Sequence, residues 1–255
     1  MPTRDTPWPA GTPCWIDLSA PDVPAAAEFY KSLFGWTYVD TGADFGNYHI
    51  AQVNGRAPAA IGPQFEEGQP AAWTLYLASD DVDATAKLIA DNGGGLLMEP
   101  GDVGDKGRML IATDPTGAVF GVWQAGETTG LQVFNEPGAL AWEDARLTDA
   151  DAGRSFYASV FGYTYGPVEG APPAYQTFAV DGRPVGGIGD LTGAPEGTPS
   201  HWVGYFSVAD VDAAAATAER GGGRVLGPAQ DTPFGRMAEL ADPFGATFMV
   251  HAELA

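Results

Sequence analysis

The chain of 255 residues carries 12 basic and 33 acidic side chains, a net charge of −21 that repels a phosphate backbone and argues against nucleic acid as a partner. An apolar share of 45% suffices for one or two buried cores, and the lone Cys14 excludes both an intramolecular disulfide and a cysteine-built zinc site. Met1 to Pro13 holds no apolar run of signal-peptide length and no later stretch reaches the roughly 20 apolar residues of a membrane span, so a cytoplasmic protein with no membrane partner is expected.

The first patterned segment, Cys14 to Leu18, alternates Ile16 and Leu18 with Trp15 and Asp17, the period of a strand with one face against helices. Asp22 is placed to cap a helix beginning near Val23, with Pro24 tolerated in its first turn; Phe29, Tyr30, Leu33 and Phe34 form its apolar stripe and Gly35 ends it. Short segments from Tyr48 to Val53 and around Ala59 to Ile61 follow, broken by Gly, Asn and Pro as hairpins are. The order then restarts: a strand over Trp73 to Ala78, a helix over Val82 to Asp91 behind acidic caps, and strands over Arg108 to Thr113 and Ala118 to Trp123 around the turn Asp114-Pro115-Thr116-Gly117. Each such half is a βαβββ module.

The whole pattern is repeated. Trp15, Phe29-Tyr30, Phe34-Gly35, Tyr48, Gly55-Arg56 and Ile61-Gly62 recur 127 positions on as Trp142, Phe156-Tyr157, Phe161-Gly162, Tyr175, Gly182-Arg183 and Ile188-Gly189. Gly107-Arg108-Met109 and Asp114-Pro115 recur as Gly235-Arg236-Met237 and Asp242-Pro243. We therefore expect one domain over residues 11–124, a short linker over 125–138 and a second domain over 139–253, the two pairing within the chain so that a monomer suffices, with homodimerisation left open.

These segments resemble the vicinal-oxygen-chelate superfamily, the glyoxalase, bleomycin-resistance and extradiol-dioxygenase fold. The resemblance rests on Ala27-Glu28-Phe29-Tyr30-Lys31-Ser32-Leu33-Phe34-Gly35-Trp36, on Asp80-Asp81-Val82-Asp83-Ala84 and on the Asp-Pro-Thr-Gly turn, in the family's order. In tandem form the chain looks most like two-domain glyoxalase-like proteins of actinobacteria, some loosely labelled hydroxylases. It implies an α+β fold of four βαβββ modules forming two cup-shaped mixed sheets. It also implies where a catalytic metal would be held: on the first strand of each module and on the last strand. Those positions are Trp15, Thr74 and Gly121 in one copy and Trp142, Val203 and Met249 in the other, so no metal and no other cofactor is expected.

Alternation places Trp15, Asp17, Thr74, Tyr76, Val119, Gly121 and Trp123 in the first cup, and Trp142, Asp144, His201, Val203, Tyr205, Thr247, Met249 and His251 in the second. Aromatic faces with one carboxylate each suit a planar aromatic or cationic small molecule, and the acidic net charge agrees with a cation while also serving solubility. The candidate ligand-binding residues are Trp15, Asp17, Tyr76, Trp123, Trp142, Asp144, His201, Tyr205, Met249 and His251. Against this stand plainer readings: Trp15 and Trp142 as core filling collapsed cups, Asp17 and Asp144 exposed at the mouth or paired with Arg108 and Arg236, and the histidines merely solvated or hydrogen-bonded. Gly93 to Gly95 and Gly221 to Gly223 read as helix C-terminal turns rather than phosphate loops, and Cys14 reads as core. Two functions stay open. One is a metal-free binding protein that sequesters or carries an aromatic metabolite or antibiotic. The other is a cofactor-independent enzyme, glyoxalase-like or a hydroxylase or isomerase on an aromatic polyketide-type substrate, with Asp17, Asp144, His201 or His251 as base. A third, a protein-interaction role, applies if the cups are closed.

Overall fold

The computed structural model describes residues 2–66 and 68–254. The first domain contains β1 (Pro13–Ala20), α1 (Val23–Phe34), β2 (Thr37–Asp40), β3 (His49–Gln52), β4 (Ala60–Pro63), β5 (Ala72–Ala78), α2 (Val82–Asp91), β6 (Gly95–Asp102), β7 (Gly107–Thr113) and β8 (Val119–Ala125). The second contains β9 (Leu140–Leu147), α3 (Ala150–Phe161), β10 (Thr164–Pro167), β11 (Gln176–Val180), β12 (Arg183–Asp190), β13 (His201–Ser207), α4 (Val211–Arg220), β14 (Arg224–Val225), β15 (Gln230–Thr232), β16 (Gly235–Ala241) and β17 (Thr247–Ala252).

Local chemistry sets the helix ends. The Asp22 carboxylate accepts the Ala25 amide at 3.0 Å, and Asp81, Asp149 and Asp210 cap the other three helices in the same way. Gly35 and Gly162 stop α1 and α3 in the left-handed region at φ 72°, where a side chain would be strained. Within the first domain the strands run in the order β2-β3-β4-β1-β5-β8-β7-β6, and the second follows the matching order β10-β11-β12-β9-β13-β17-β16-β14, with β15 added on β16. The first strand of each module pairs parallel with its last, β1 with β4 and β5 with β8, and the two modules meet along antiparallel β1 and β5. Each domain is thus one curled mixed sheet built from two βαβββ modules.

The helices lie where the domains meet, α1 against α4 and α2 against α3. The Tyr30 hydroxyl donates to Asp242 Oδ2 at 3.1 Å and accepts from Trp73 Nε1 at 3.1 Å; symmetrically, Tyr157 donates to Asp114 Oδ2 at 3.1 Å and accepts from Trp202 Nε1 at 2.8 Å. The Asp of each Asp-Pro turn therefore binds the other domain. The glycine runs after α2 and α4 do more than end helices: a Cβ on Gly94 would lie 2.9 Å from the Phe156 ring and one on Gly221 would lie 2.9 Å from that of Phe29, so both runs admit an aromatic ring from the opposite domain. Cys14, Ile16, Leu18 and Ala20 of β1 face this interface, and Cys14 is buried there. Among the described residues no helix is long and apolar enough to cross a membrane.

Candidate functional site

The outward faces of the two sheets carry the cups, and the repeat has diverged there. In the first cup, register sets Trp15 opposite Tyr76 and Asp17 opposite Thr74. The Asp17 Oδ2 accepts the Tyr48 hydroxyl at 2.8 Å and the Tyr76 hydroxyl at 3.2 Å, and Trp15 Nε1 donates to Tyr48 at 2.9 Å. Gly62 and Gly121 leave the room these rings occupy: a Cβ on Gly62 would fall 2.7 Å from the Tyr48 ring, and one on Gly121 would run into Tyr76. Trp15 and Tyr76 are only 8% and 3% exposed, while Asp17 itself is half-buried. Burial pushes the Asp17 carboxyl up to about 6, with the two tyrosine hydrogen bonds pulling the other way.

The second cup holds an open cleft of about 1130 Å³. At its floor, Asp144 Oδ1 accepts Tyr175 at 2.8 Å and Trp142 Nε1 at 2.9 Å, while Oδ2 accepts Tyr205 at 2.6 Å. Arg146, two residues further along the same face of β9, donates through Nη2 to the Tyr205 hydroxyl at 3.1 Å, and its Nη1 lies 3.6 Å from Glu239. Burial raises the Asp144 carboxyl above the ordinary range; the hydrogen bonds from Tyr205 and Tyr175 and the charge of Arg146 moderate the rise. Met249 stands where the first domain has Gly121 and packs with Val203, Tyr205, Trp142 and Met237. Phe234 and His251 border the opening, and the His251 Nε2 donates to the Phe234 carbonyl at 2.7 Å.

Of the residues singled out from sequence, Trp142, Asp144, Tyr205 and His251 line this cleft together, and Met249 supports its floor. Trp15, Asp17 and Tyr76 form the matching cluster of the first domain with Tyr48. Trp123 donates through Nε1 to Thr128 O at 3.0 Å and borders a cavity of about 190 Å³ with Trp8 and Cys14. His201 stands opposite Arg146 at the start of β13 but outside the cleft lining, its Nδ1 donating to Pro199 O at 2.9 Å.

Two sequence expectations are corrected here. Arg108 pairs with Asp83 and Asp102, and Arg236 with Asp212 and Asp231, so neither arginine reaches the cup carboxylates. Nor is Asp144 exposed at the mouth, being 7% accessible. Tyrosine hydroxyls take the place assigned to the arginines. Arg146, Tyr175 and Glu239 were missed, although Arg146 continues the Trp142, Asp144 alternation by one more step.

The positions at which the resemblance implies metal ligands do not supply a donor set. Indole Nε1 only donates, Val and Gly offer no donor atom, a thioether is soft, and a lone threonine hydroxyl does not hold a divalent ion. Among the described residues no three of His, Cys, Asp and Glu are grouped to hold one elsewhere.

Comparison with known proteins agrees with this fold. The family model for the Glyoxalase/Bleomycin resistance protein/Dioxygenase superfamily matches twice, over residues 14–122 and 140–250. A Mycobacterium tuberculosis protein named "Putative glyoxylase CFP32" is 42% identical, with 98% of this chain and 97% of that protein covered. The "Anthracycline biosynthesis protein DauV" of Streptomyces sp. is 37% identical over 94% of this chain and 92% of its own length. Among solved structures, a Mn(II)-bound glyoxalase from Novosphingobium aromaticivorans superposes with a TM-score of 0.67 at 14% identity, covering 96% of this chain and 83% of its own. The 2,3-dioxygenase LapB from Pseudomonas superposes with a TM-score of 0.65 at 14% identity, covering 97% and 93%; at such identity the likeness concerns the fold alone. The chain belongs to the Glyoxalase/Bleomycin resistance protein/Dioxygenase superfamily, as two tandem domains of that fold.

Proposed function

We propose that the chain binds a planar aromatic small molecule, neutral or cationic, in the cup of its second domain, without a metal ion, as a sequestering or carrier protein of secondary metabolism. The first domain serves as the scaffold against which the second is built. The observation that carries this is the cleft of about 1130 Å³ in the second domain, with Asp144 at its floor held by Tyr175, Tyr205 and Trp142. Ligand pockets of roughly 300–1,000 Å³ bury drug-sized molecules, so this cleft accommodates a fused-ring compound with a substituent. Trp142, Tyr175, Tyr205 and Phe234 present flat faces for stacking. The ionisable lining also favours positive over negative charge, since Asp144, Asp231 and Glu253 line the cleft and no Lys or Arg does. The anthracycline biosynthesis relatives support the substrate class, anthracyclines being fused-ring quinones that carry an amino sugar.

Tryptophan fluorescence of chelator-treated protein tests the reading. Titration with an anthraquinone and with an anthracycline should give saturable quenching that Trp142→Phe removes and Trp15→Phe leaves in place. Quenching that requires added divalent metal, or that follows Trp15 instead, would overturn it. Stronger binding of the amine-bearing compound would assign the cleft to cations.

A further inference from the structure

Resting on the reading that the second cup binds an aromatic compound, we propose that Asp144 is a catalytic base in that cup, taking a proton from the carbon beside a carbonyl of the bound molecule and returning it, so that the domain enolises aromatic ketones with no cofactor. The carboxylate is held by three donors, Trp142 and Tyr175 on Oδ1 and Tyr205 on Oδ2, and it lines the cleft. A carboxylate offers about four lone-pair sites, so three donors fix its direction and leave acceptor capacity.

Each element around it contributes to the charge balance. Arg146 from β9, Tyr175 from the loop just before β11 and Tyr205 from β13 face Asp144. Glu239 from β16 faces Arg146, and Glu143 is the neighbour along β9. Burial strengthens Asp144 as a base relative to an ordinary aspartate, towards the value that proton transfer near neutral pH needs.

The step balances without a co-reactant. The C–H bond breaks, its proton goes to an Asp144 oxygen, and the electron pair forms the C=C bond while the carbonyl electrons move onto oxygen. The Tyr205 O–H, no longer held by a charged carboxylate, turns to donate to that oxyanion with Arg146 behind it. Return of the proton to the same carbon restores the ketone, and return to a conjugated carbon gives its isomer; nothing is oxidised or reduced. The first domain has the carboxylate without this apparatus, since Ser19 and Ile111 stand where the second has Arg146 and Glu239.

The test is deuterium exchange at C1 of 2-tetralone, a bicyclic aromatic ketone, followed by proton NMR in D2O with chelator-treated full-length protein. General-base catalysis of roughly 100-fold over buffer is expected from the wild type, lost in Asp144→Asn and reduced in Arg146→Met. The wild-type rate should also rise with pH through a midpoint above that of a free aspartate, a readout that stands even if Asp144→Asn does not fold. No acceleration by wild type, unchanged exchange in a folded Asp144→Asn, or a flat pH profile overturns the catalytic assignment. Absence of Trp142 quenching by the anthraquinone is a different failure, that of the binding reading itself.

Discussion

Glu143 lies back to back with Asp144 on β9, its side chain turned away from the cup and towards the interface between the domains. It is 7% exposed. Burial, with the Asp144 charge adding to it, raises the acid well above its ordinary range, and it in turn helps to raise the Cys14 thiol and the Tyr163 hydroxyl. The first domain has Ile16 at the matching position, 1% exposed. Replacing Glu143 with Met, of similar length but with nothing to ionise, removes a buried carboxyl whose desolvation costs about 1–3 kcal/mol. For a chain of this size that corresponds to about 2–4 °C in Tm per kcal/mol. The sign with pH follows from the raised folded-state value. Above the ordinary carboxylate range the folded protein holds a proton that the unfolded chain has released, so wild-type stability falls as pH rises through that window. The advantage of Glu143→Met should therefore be larger at pH 8 than at pH 5, as read from urea unfolding midpoints. A Glu143→Met protein less stable than wild type at pH 8, or a difference identical at the two pH values, would refute the reasoning.

The interdomain tyrosines offer a symmetric comparison: Tyr30→Phe and Tyr157→Phe each delete a hydroxyl that donates to a buried aspartate, and each should cost about 1.5–3 kcal/mol by denaturant unfolding. A cost in one only would mean that the domains do not share the interface equally. Gly121→Ala should destabilise by about 1–3 kcal/mol, because its methyl meets the Tyr76 ring; a neutral effect would show that the first cup is looser than described. Asp17, with its carboxyl at about 6, should make wild-type stability fall as pH rises from about 4 to about 6, and Asp17→Asn should flatten that part of the pH curve. An unchanged curve would remove the case for its burial.

Features decided within a few residues were legible in the sequence. Asp22 and Gly35 bracket α1 by capping chemistry that needs no tertiary partner, and the alternation through Trp142 and Asp144 located the cup face of β9. The partners of Arg108 and Arg236 were not legible, because they depend on how β7 and β16 approach α2 and α4, and the exposed Asp83 and Asp212 lie closer than the cup carboxylates. The edge strands β2, β6 and β14 escaped notice for a related reason: their residues are mostly exposed or half-buried and take their conformation from pairing with a neighbour. The difference between the cups hangs on single substitutions such as Gly121 against Met249 and Ser19 against Arg146. Their consequences depend on ring placement, and composition does not reveal that.

In the function proposed above, one cup, the second, takes an aromatic ligand without metal. Calorimetric titration of chelator-treated protein with an anthraquinone tests it most directly. One molecule should bind per chain, with binding abolished by Trp142→Ala and undiminished by Trp15→Phe. Two molecules per chain, or no heat until a divalent ion is restored, would contradict it.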